Sequence, residues 1–308
     1  MTQSTAPGKI ILFGEHAVVY GRPALAVPVT QVHADVEILD SADPGIWVHA
    51  PDVDLHAELN TLPSDHPIAS VIHNFLFISR ISLFPNLQVN ISSTIPVASG
   101  LGSGAAVTVA LTRALATHFD YPMTDEEVNS FAYEIEKLHH GTPSGIDNTV
   151  ITFAQPVYFV KGQQMETFKA GSPFTIVIGD TGISAPTKES VGDVHRLWLN
   201  DKAHWESVFD QVAEISLTAR RAIKQGMWEM LGRLMNENHR LLQEMTVSSP
   251  ELDRLVSAAN NAGALGAKMS GSGRGGNMIA LVEENSAQNV AERLISLGAR
   301  HTIITSIQ

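Results

Sequence analysis

Apolar residues along this chain follow two periods that alternate irregularly. Residues 10–13 form a short apolar run, read as a strand, and Gly14, Glu15 and His16 follow as a turn. Residues 17–20 and 24–29 read as further strands around Gly21-Arg22-Pro23, and residues 32–39 alternate as another. Ser64 to Pro67 opens a helix whose apolar positions are Ile68, Val71, Ile72, Phe75 and Leu76. Leu87, Val89 and Ile91 alternate along a strand that leads to Pro96 and a glycine-rich stretch, after which Val107, Ala110, Leu111, Ala114 and Leu115 recur at helical spacing. Thr124 with Glu127 makes a capping box ahead of the stripe Val128, Phe131, Ala132, Ile135 and Leu138, which ends at Gly141.

Residues 142–148 form a polar, turn-rich loop, followed by the apolar stretch 150–153. Residues 162–173 read as a hinge or boundary, and 174–178 as a strand. Residues 188–263 are mostly helical in pattern, with breaks near Gly192, Asn200, Gly226 and Ser248–Pro250. A second Gly/Ser loop spans 268–276; a strand (278–282), a helix (287–297) and a final strand (301–307) complete the chain. There is no internal repeat and no low-complexity tract. The irregular alternation predicts an α+β fold with two lobes rather than a doubly wound parallel sheet.

Composition narrows the possibilities. The 308 residues suit one large domain or two moderate ones. The net charge of −12 argues against general binding to nucleic acid or anionic membranes. The absence of cysteine excludes disulfides, thiolate metal sites and thiol nucleophiles. Residues 1–9 are polar and do not read as a signal peptide, and the uncharged stretch 81–112 is broken by Pro85, Asn86, Asn90 and Pro96. A cytoplasmic protein is the expectation.

Within that acidic chain, Ser99-Gly100-Leu101-Gly102-Ser103-Gly104-Ala105-Ala106 stands at the start of a helix. Glycines let backbone N–H groups approach a ligand, and a helix N-terminus adds unpaired donors and a partial positive charge. The segment reads either as a phosphate site built from main chain or as a tight turn before a buried helix. No Lys, Arg or His lies between Ile81 and Thr112, so a helping cation must come from elsewhere. Gly100, Gly102 and Ala105 fit a dinucleotide-binding pattern, as do Gly271, Gly273 and Gly276, but neither lies in the strand–helix–strand context such a site requires. Gly8-Lys9 lacks the flanking residues of a Walker A loop.

Four segments together resemble one family. Residues 6–21, containing Pro7-Gly8-Lys9 and Gly14-Glu15-His16, resemble the N-terminal motif of the mevalonate kinases, part of the GHMP kinase superfamily. Residues 96–106 resemble that superfamily's phosphate loop, and 136–148 the mevalonate kinase form of its catalytic segment. Lys268-Met269-Ser270-Gly271-Ser272-Gly273 resembles its C-terminal glycine motif. The four occur in family order across residues 6–277.

The resemblance implies a two-lobed GHMP kinase fold: an S5-like N-terminal lobe over residues 1–165, which binds ATP and carries the chemistry, and a ferredoxin-like C-terminal lobe over 166–308, which closes the active-site cleft. It implies transfer of the ATP γ-phosphoryl group to the 5-hydroxyl of mevalonate, with Mg2+, and a homodimer as the assembly to look for. Asp147 matches the catalytic base and Lys9 the active-site lysine beside it; by themselves they read equally as a turn-capping aspartate and a solvated lysine. Pro96, Ser99, Gly100, Leu101, Gly102, Ser103, Gly104 and Ala105 match the ATP-binding loop. Glu136 matches the magnesium ligand, although alone it reads as part of a solvated helix face. Glu15 and His16 match the substrate pocket, and Thr187 and Ser144 fall where they could touch substrate or support the loop. His139 and His140 point apart on a helix and read as structural.

One departure stands out. The family often has a second serine, a magnesium ligand, where this chain has Gly104; Ser103 or water is the expected replacement. The alternatives to mevalonate phosphorylation are another small-molecule kinase of the superfamily, acting on phosphomevalonate or on a different hydroxyl, and a catalytically silent nucleotide-binding sensor.

Overall fold

A computed structural model describes all residues except 82–84, 97–98, 141–142 and 185–186, and the side chain of His140. In chain order the elements are β1 (Thr2–Phe13), β2 (Ala24–Asp40), β3 (Ile46–Ala50), β4 (Leu55–Glu58), α1 (Pro67–Ile78), β5 (Leu87–Ser93), α2 (Ser103–His118), α3 (Asp125–His140) and α4 (Ile146–Phe153). They continue with β6 (Val157–Phe159), β7 (Glu166–Thr167), β8 (Phe174–Asp180), α5 (Thr187–Asn200), α6 (Lys202–Gln225), α7 (Trp228–Glu244) and α8 (Pro250–Asn261). The chain ends with β9 (Gly266–Ser270), β10 (Asn277–Val282), α9 (Ala287–Ser296) and β11 (His301–Ile307). The α+β expectation is borne out. Among the described residues no helix is long and apolar enough to cross a membrane.

Two compact units divide the chain. The first comprises Met1–Gly8, Val32–Val97 and Leu101–Ala154; the second comprises Lys9–Gln31, Ala98–Gly100 and Gln155–Gln308.

In the first unit the later part of β2 runs antiparallel to β5, β5 parallel to β3, and β3 antiparallel to β4. Alternation along β2 buries Ala34, Val36 and Ile38 and turns His33, Asp35 and Glu37 outward. That is the pattern of a sheet covered on one face. The helices pack against one another on the covered side, α2 contacting α1, α3, α4 and β5. Small side chains suit α2 to this central place: Ala105, Ala106, Ala110 and Ala114 are buried, and the buried Thr112 hydroxyl donates to the Thr108 carbonyl at 2.7 Å. The capping box forms as read, with Thr124 N–H donating to Glu127 at 2.7 Å and Glu127 N–H to Thr124 Oγ1 at 3.2 Å.

In the second unit the strand order is β11-β8-β10-β9, every neighbouring pair antiparallel. Numbered within the sheet this is 4-1-3-2, the order of a ferredoxin-like sheet, as expected for the C-terminal part. Helices α7, α8 and α9 pack against it. Strand β9 ends the sheet, so its outward amides need partners from elsewhere. Helix α7 supplies them: Asn236 Oδ1 accepts from Ala267 N–H at 3.0 Å, and His239 Nδ1 from Met269 N–H at 3.3 Å. The close approach depends on Gly232 in α7, where a Cβ would overlap the Leu265 carbonyl.

Five local expectations are corrected. Residues 17–20 form a 3-10 turn, not a strand, because Gly14 and Gly21 on either side adopt positive φ and reverse the chain. Residues 24–40 form one strand, because exposed Thr30 and Gln31 stay extended where β2 changes partner from β6 to β5. Asp147 lies not in a loop but in the first turn of α4; left-handed Gly145 starts that helix, and its carbonyl accepts from Thr149 Oγ1 at 2.7 Å. Helix α5 continues through Gly192, a helical position that a glycine weakens but does not break. Residues 268–270 belong to β9, and the loop proper begins at Gly271.

Two stability outcomes follow from this packing. Gly232→Ala should destabilise by about 3 kcal/mol through overpacking against fixed backbone. Gly192→Ala, with open space around its Cβ, should stabilise by about 0.5–1 kcal/mol; urea unfolding of both variants checks the contrast. Burial, reinforced by the charge of Lys268 and opposed by Asp253, pushes His239 down to about 4. The unfolded chain therefore binds a proton here that the folded chain refuses, and stability should fall as pH drops from about 6.5 to about 4, by roughly 3 kcal/mol for this group. In urea midpoints measured across that window, His239→Asn should give a shallower fall.

Candidate active site

Strand β1 brings Lys9 into the second unit, where only 7% of it is accessible. The strand ends at Gly14, whose φ of 94° and closeness to Ala24 exclude a side chain. Glu15 and His16 then turn inward and are almost fully buried. The segment is anchored behind them: Tyr20 stacks on Phe209 with centroids 4.2 Å apart, and Arg22 pairs with Glu206 and Asp210 at 2.5 and 2.7 Å. All these anchors lie on α6.

The second glycine loop meets the inward residues. Lys268, fully buried in the middle of β9, forms an ion pair with Glu15 Oε1 and donates to the Met269 carbonyl at 2.6 Å. Burial pushes the Glu15 carboxyl up and the Lys268 ammonium down, and each partner's charge opposes the shift in the other. The Glu15 and Gly271 amides also favour the carboxylate, yet Oε2 completes no hydrogen bond. Removing one member of such a pair typically costs about 3–5 kcal/mol, because the other is left charged and dry.

His16 has a positive φ of 60°, a strained backbone for a residue with a side chain. Its Nε2 lies 3.1 Å from the Ser272 carbonyl, which can only accept, so Nε2 carries the proton. Burial, against the hydrogen bond to Ser272 and with help from the Arg274 and Lys268 charges, pushes His16 down to about 4. The neutral ring therefore leaves Nδ1 as a buried acceptor without a partner.

Beside this cluster is a cavity of about 100 Å3 lined by Lys9, Ser99, Gly100, Thr187 and the loop from Ser270 to Asn277. Thr187 Oγ1 donates to Ser272 Oγ at 3.2 Å, and Asn277 Nδ2 to the Ser99 carbonyl at 2.6 Å. Gly273 can carry no side chain, since a Cβ would overlap the Val247 carbonyl. The fold thus gathers Lys9, Ser99, Gly100 and Thr187, separated by up to 178 residues, around one polar space.

The remaining candidates lie in the first unit. Pro96 is half-buried. Leu101 and Gly102 lead into α2, where left-handed Gly102 is the N-cap; Ser103, Gly104 and Ala105 form the first turn. No side chain caps this end, and the first turn carries no acidic residue, so its amides suit an anion. Glu136 is half-buried on α3. Asp147 is half-buried on α4, held by neighbours that bond to α3: Asn148 Nδ2 donates to Asn129 Oδ1 at 2.6 Å and Thr149 Oγ1 to the same oxygen at 3.3 Å. Ser144 is exposed, and its Oγ accepts from Ile146 N–H at 3.3 Å. The buried Nε2 of His139 has no hydrogen-bond partner among the described residues, and the His140 side chain lies outside them. Among the described residues no three His, Asp or Glu converge as a metal cage.

Sequence reasoning assigned no role to Lys268 or Asn277. A lysine inside an apolar strand, directly before a glycine loop, was the available signal for the first. Nothing local marked Asn277.

Comparisons with known proteins agree with the four motifs. The GHMP kinases N terminal domain model matches residues 68–155, and the GHMP kinases C terminal model matches 219–300. The chain is similar to a mevalonate kinase of Thermococcus sibiricus, 35% identical over 321 aligned residues that span 99% of this chain and 95% of the other. It is similar to a mevalonate kinase of Pyrococcus abyssi at 36% identity, covering 90% and 88% of the two chains. Among solved structures it resembles the L. major mevalonate kinase in complex with R-mevalonate, with a TM-score of 0.86, 29% identity and coverage of 100% and 96%. The chain belongs to the GHMP kinases, and within them to the mevalonate kinase family.

Proposed function

We propose that this chain transfers the γ-phosphoryl group of ATP to the 5-hydroxyl of mevalonate, a phosphotransfer to an alcohol that serves isoprenoid precursor synthesis. The observation that carries the reading is the similarity to mevalonate kinases over nearly the whole chain. The local chemistry supports it. In phosphoryl transfer the protein positions the groups in line, offsets phosphate charge and takes up the hydroxyl proton.

In this reading Asp147 takes the proton of the attacking hydroxyl, and the bonds from the next two residues, Asn148 and Thr149, to Asn129 hold its helical turn in place. Lys9 offsets charge on the transferring group. The uncapped amides of α2, with the glycines from Ser99 to Ala105, bind the nucleotide phosphates. Glu15, His16, Thr187 and Ser144 receive the substrate. The lobe of residues 1–165 carries ATP binding and chemistry, residues 166–308 add Thr187 and the second glycine loop, and the enzyme works in the cytoplasm.

The donors present fit magnesium. This ion keeps several waters and binds one or two protein ligands besides phosphate oxygens, so it needs no dedicated cage. Glu136 and the Ser103 hydroxyl would hold it, and it would supply positive charge to the phosphates. Gly104 stands where the family often has a second hydroxyl, and open space surrounds the position of its Cβ.

A coupled assay of ATP consumption with mevalonate, phosphomevalonate and homoserine, with the product identified by phosphorus NMR, tests the assignment. Turnover should require mevalonate, and its absence with mevalonate would overturn the reading. Asp147→Asn should reduce transfer by at least about 100-fold while nucleotide binding, followed by calorimetry, stays within a few fold. Gly104→Ser should fold without strain and change kcat less than about 10-fold; a much larger gain would mean that the missing hydroxyl limits the native enzyme.

A further inference from the structure

We infer that Lys268 is a positioning residue, which tethers one oxygen of Glu15 so that the other is reserved as an acceptor for a substrate hydroxyl. The inference rests on the proposed function and extends it to a residue with no assigned role. Three observations carry it. Lys268 has no solvent access, and its ammonium is spent on Glu15 Oε1 and the Met269 carbonyl. Glu15 is likewise buried, yet among the described residues Oε2 completes no hydrogen bond, although the Glu15 and Gly271 amides favour the carboxylate. The next residue repeats the arrangement: His16 Nε2 is tied to the Ser272 carbonyl, and Nδ1 is a buried acceptor without a partner among the described residues.

Buried acceptors without donors are costly, and each calls for an explanation. Neutral His16 and ionised Glu15 can both accept and neither can donate through its spare atom. What satisfies them is a donor, such as an alcohol. A carboxylate or phosphate would be repelled. The role of Lys268 is to keep Glu15 ionised in a dry place, where burial alone favours the neutral acid. A protonated Glu15 would lose its preference for a hydroxyl.

The other charged and titratable groups around the pair are His16, Arg274 in the glycine loop with its partner Asp193 on α5, His239 on α7 and Asp253 on α8. With Lys268 in place His16 and His239 are held to about 4, chiefly by burial, and lie outside the range that the test covers. Loss of the Lys268 charge raises both, so the displaced acid limb belongs to Glu15 only if it is absent from the double variant, which keeps both histidines.

The test compares wild type, Lys268→Met and the double variant Lys268→Met/Glu15→Gln, measuring kcat/KM for mevalonate from about pH 5.5 to 9, with KM for ATP alongside. In Lys268→Met, kcat/KM should fall about 10- to 100-fold, with KM for ATP nearly unchanged. Its acid limb should move to higher pH, because Glu15 has lost the cation that favours ionisation. The double variant removes both charges, should fold as judged by circular dichroism, and should stay impaired. It decides the matter if Lys268→Met does not fold. An unchanged pH profile in Lys268→Met, or recovery of wild-type kcat/KM in the double variant, would show a structural pair only and overturn the inference. Wild type that fails to turn over mevalonate would overturn the functional reading and this inference with it.

Discussion

A lysine and a glutamate that water cannot reach join the start of the second unit to its last strands. Lys268 stands in the middle of β9 and Glu15 just beyond β1, 253 residues apart along the chain. Each charge would be intolerable alone in that environment, so each requires the other in place. The turn at Gly14, the strained backbone of His16, and the Tyr20 and Arg22 anchors on α6 all bring Glu15 to this meeting. Partners for β9 from α7 hold the opposite end of the pair. The cavity beside it, with Lys9 and Thr187 on its wall, takes its shape from the same loop.

An acidic chain handles anions by the same economy of charge. The net charge is −12, and no Lys, Arg or His lies between Ile81 and Thr112. The glycine stretch before α2 presents amides at an end that no side chain caps, and positive φ at Gly100 and Gly102 exposes backbone that a larger residue would cover. A Coulombic attraction spread over many lysines would draw in any polyanion. Oriented amides and a few placed cations select by shape.

Much of this was legible beforehand. Long elements with clear periodicity, such as α1, α3 with its capping box, β10 and β11, follow directly from hydrophobic spacing. The glycine loops and the residues around Lys9, Glu15, Glu136 and Asp147 stood out as candidates because chemistry constrains their types and because a family pattern joined them. Errors arose where tertiary context outweighs local preference. Residues 17–20 look like a strand until two left-handed glycines bend them, and Asp147 looks like a loop residue until Gly145 starts a helix. Strands β3 and β4 went unread because Trp47, His49 and His56 on their open face blur the alternation. Pairing between Lys268 and Glu15 is a long-range fact that no local window contains.

The edge of the four-stranded sheet has a consequence for how copies of this protein can meet. The Ala267 and Met269 amides on β9 already donate to Asn236 and His239 of α7. A strand from another molecule could dock there only by displacing both side chains and giving up two hydrogen bonds, each contributing about 1 kcal/mol. The glycine contact that seats α7 so close would have to open as well. That edge is therefore protected against strand addition and the aggregation that begins with it, and the protection comes from a helix rather than from surface charge.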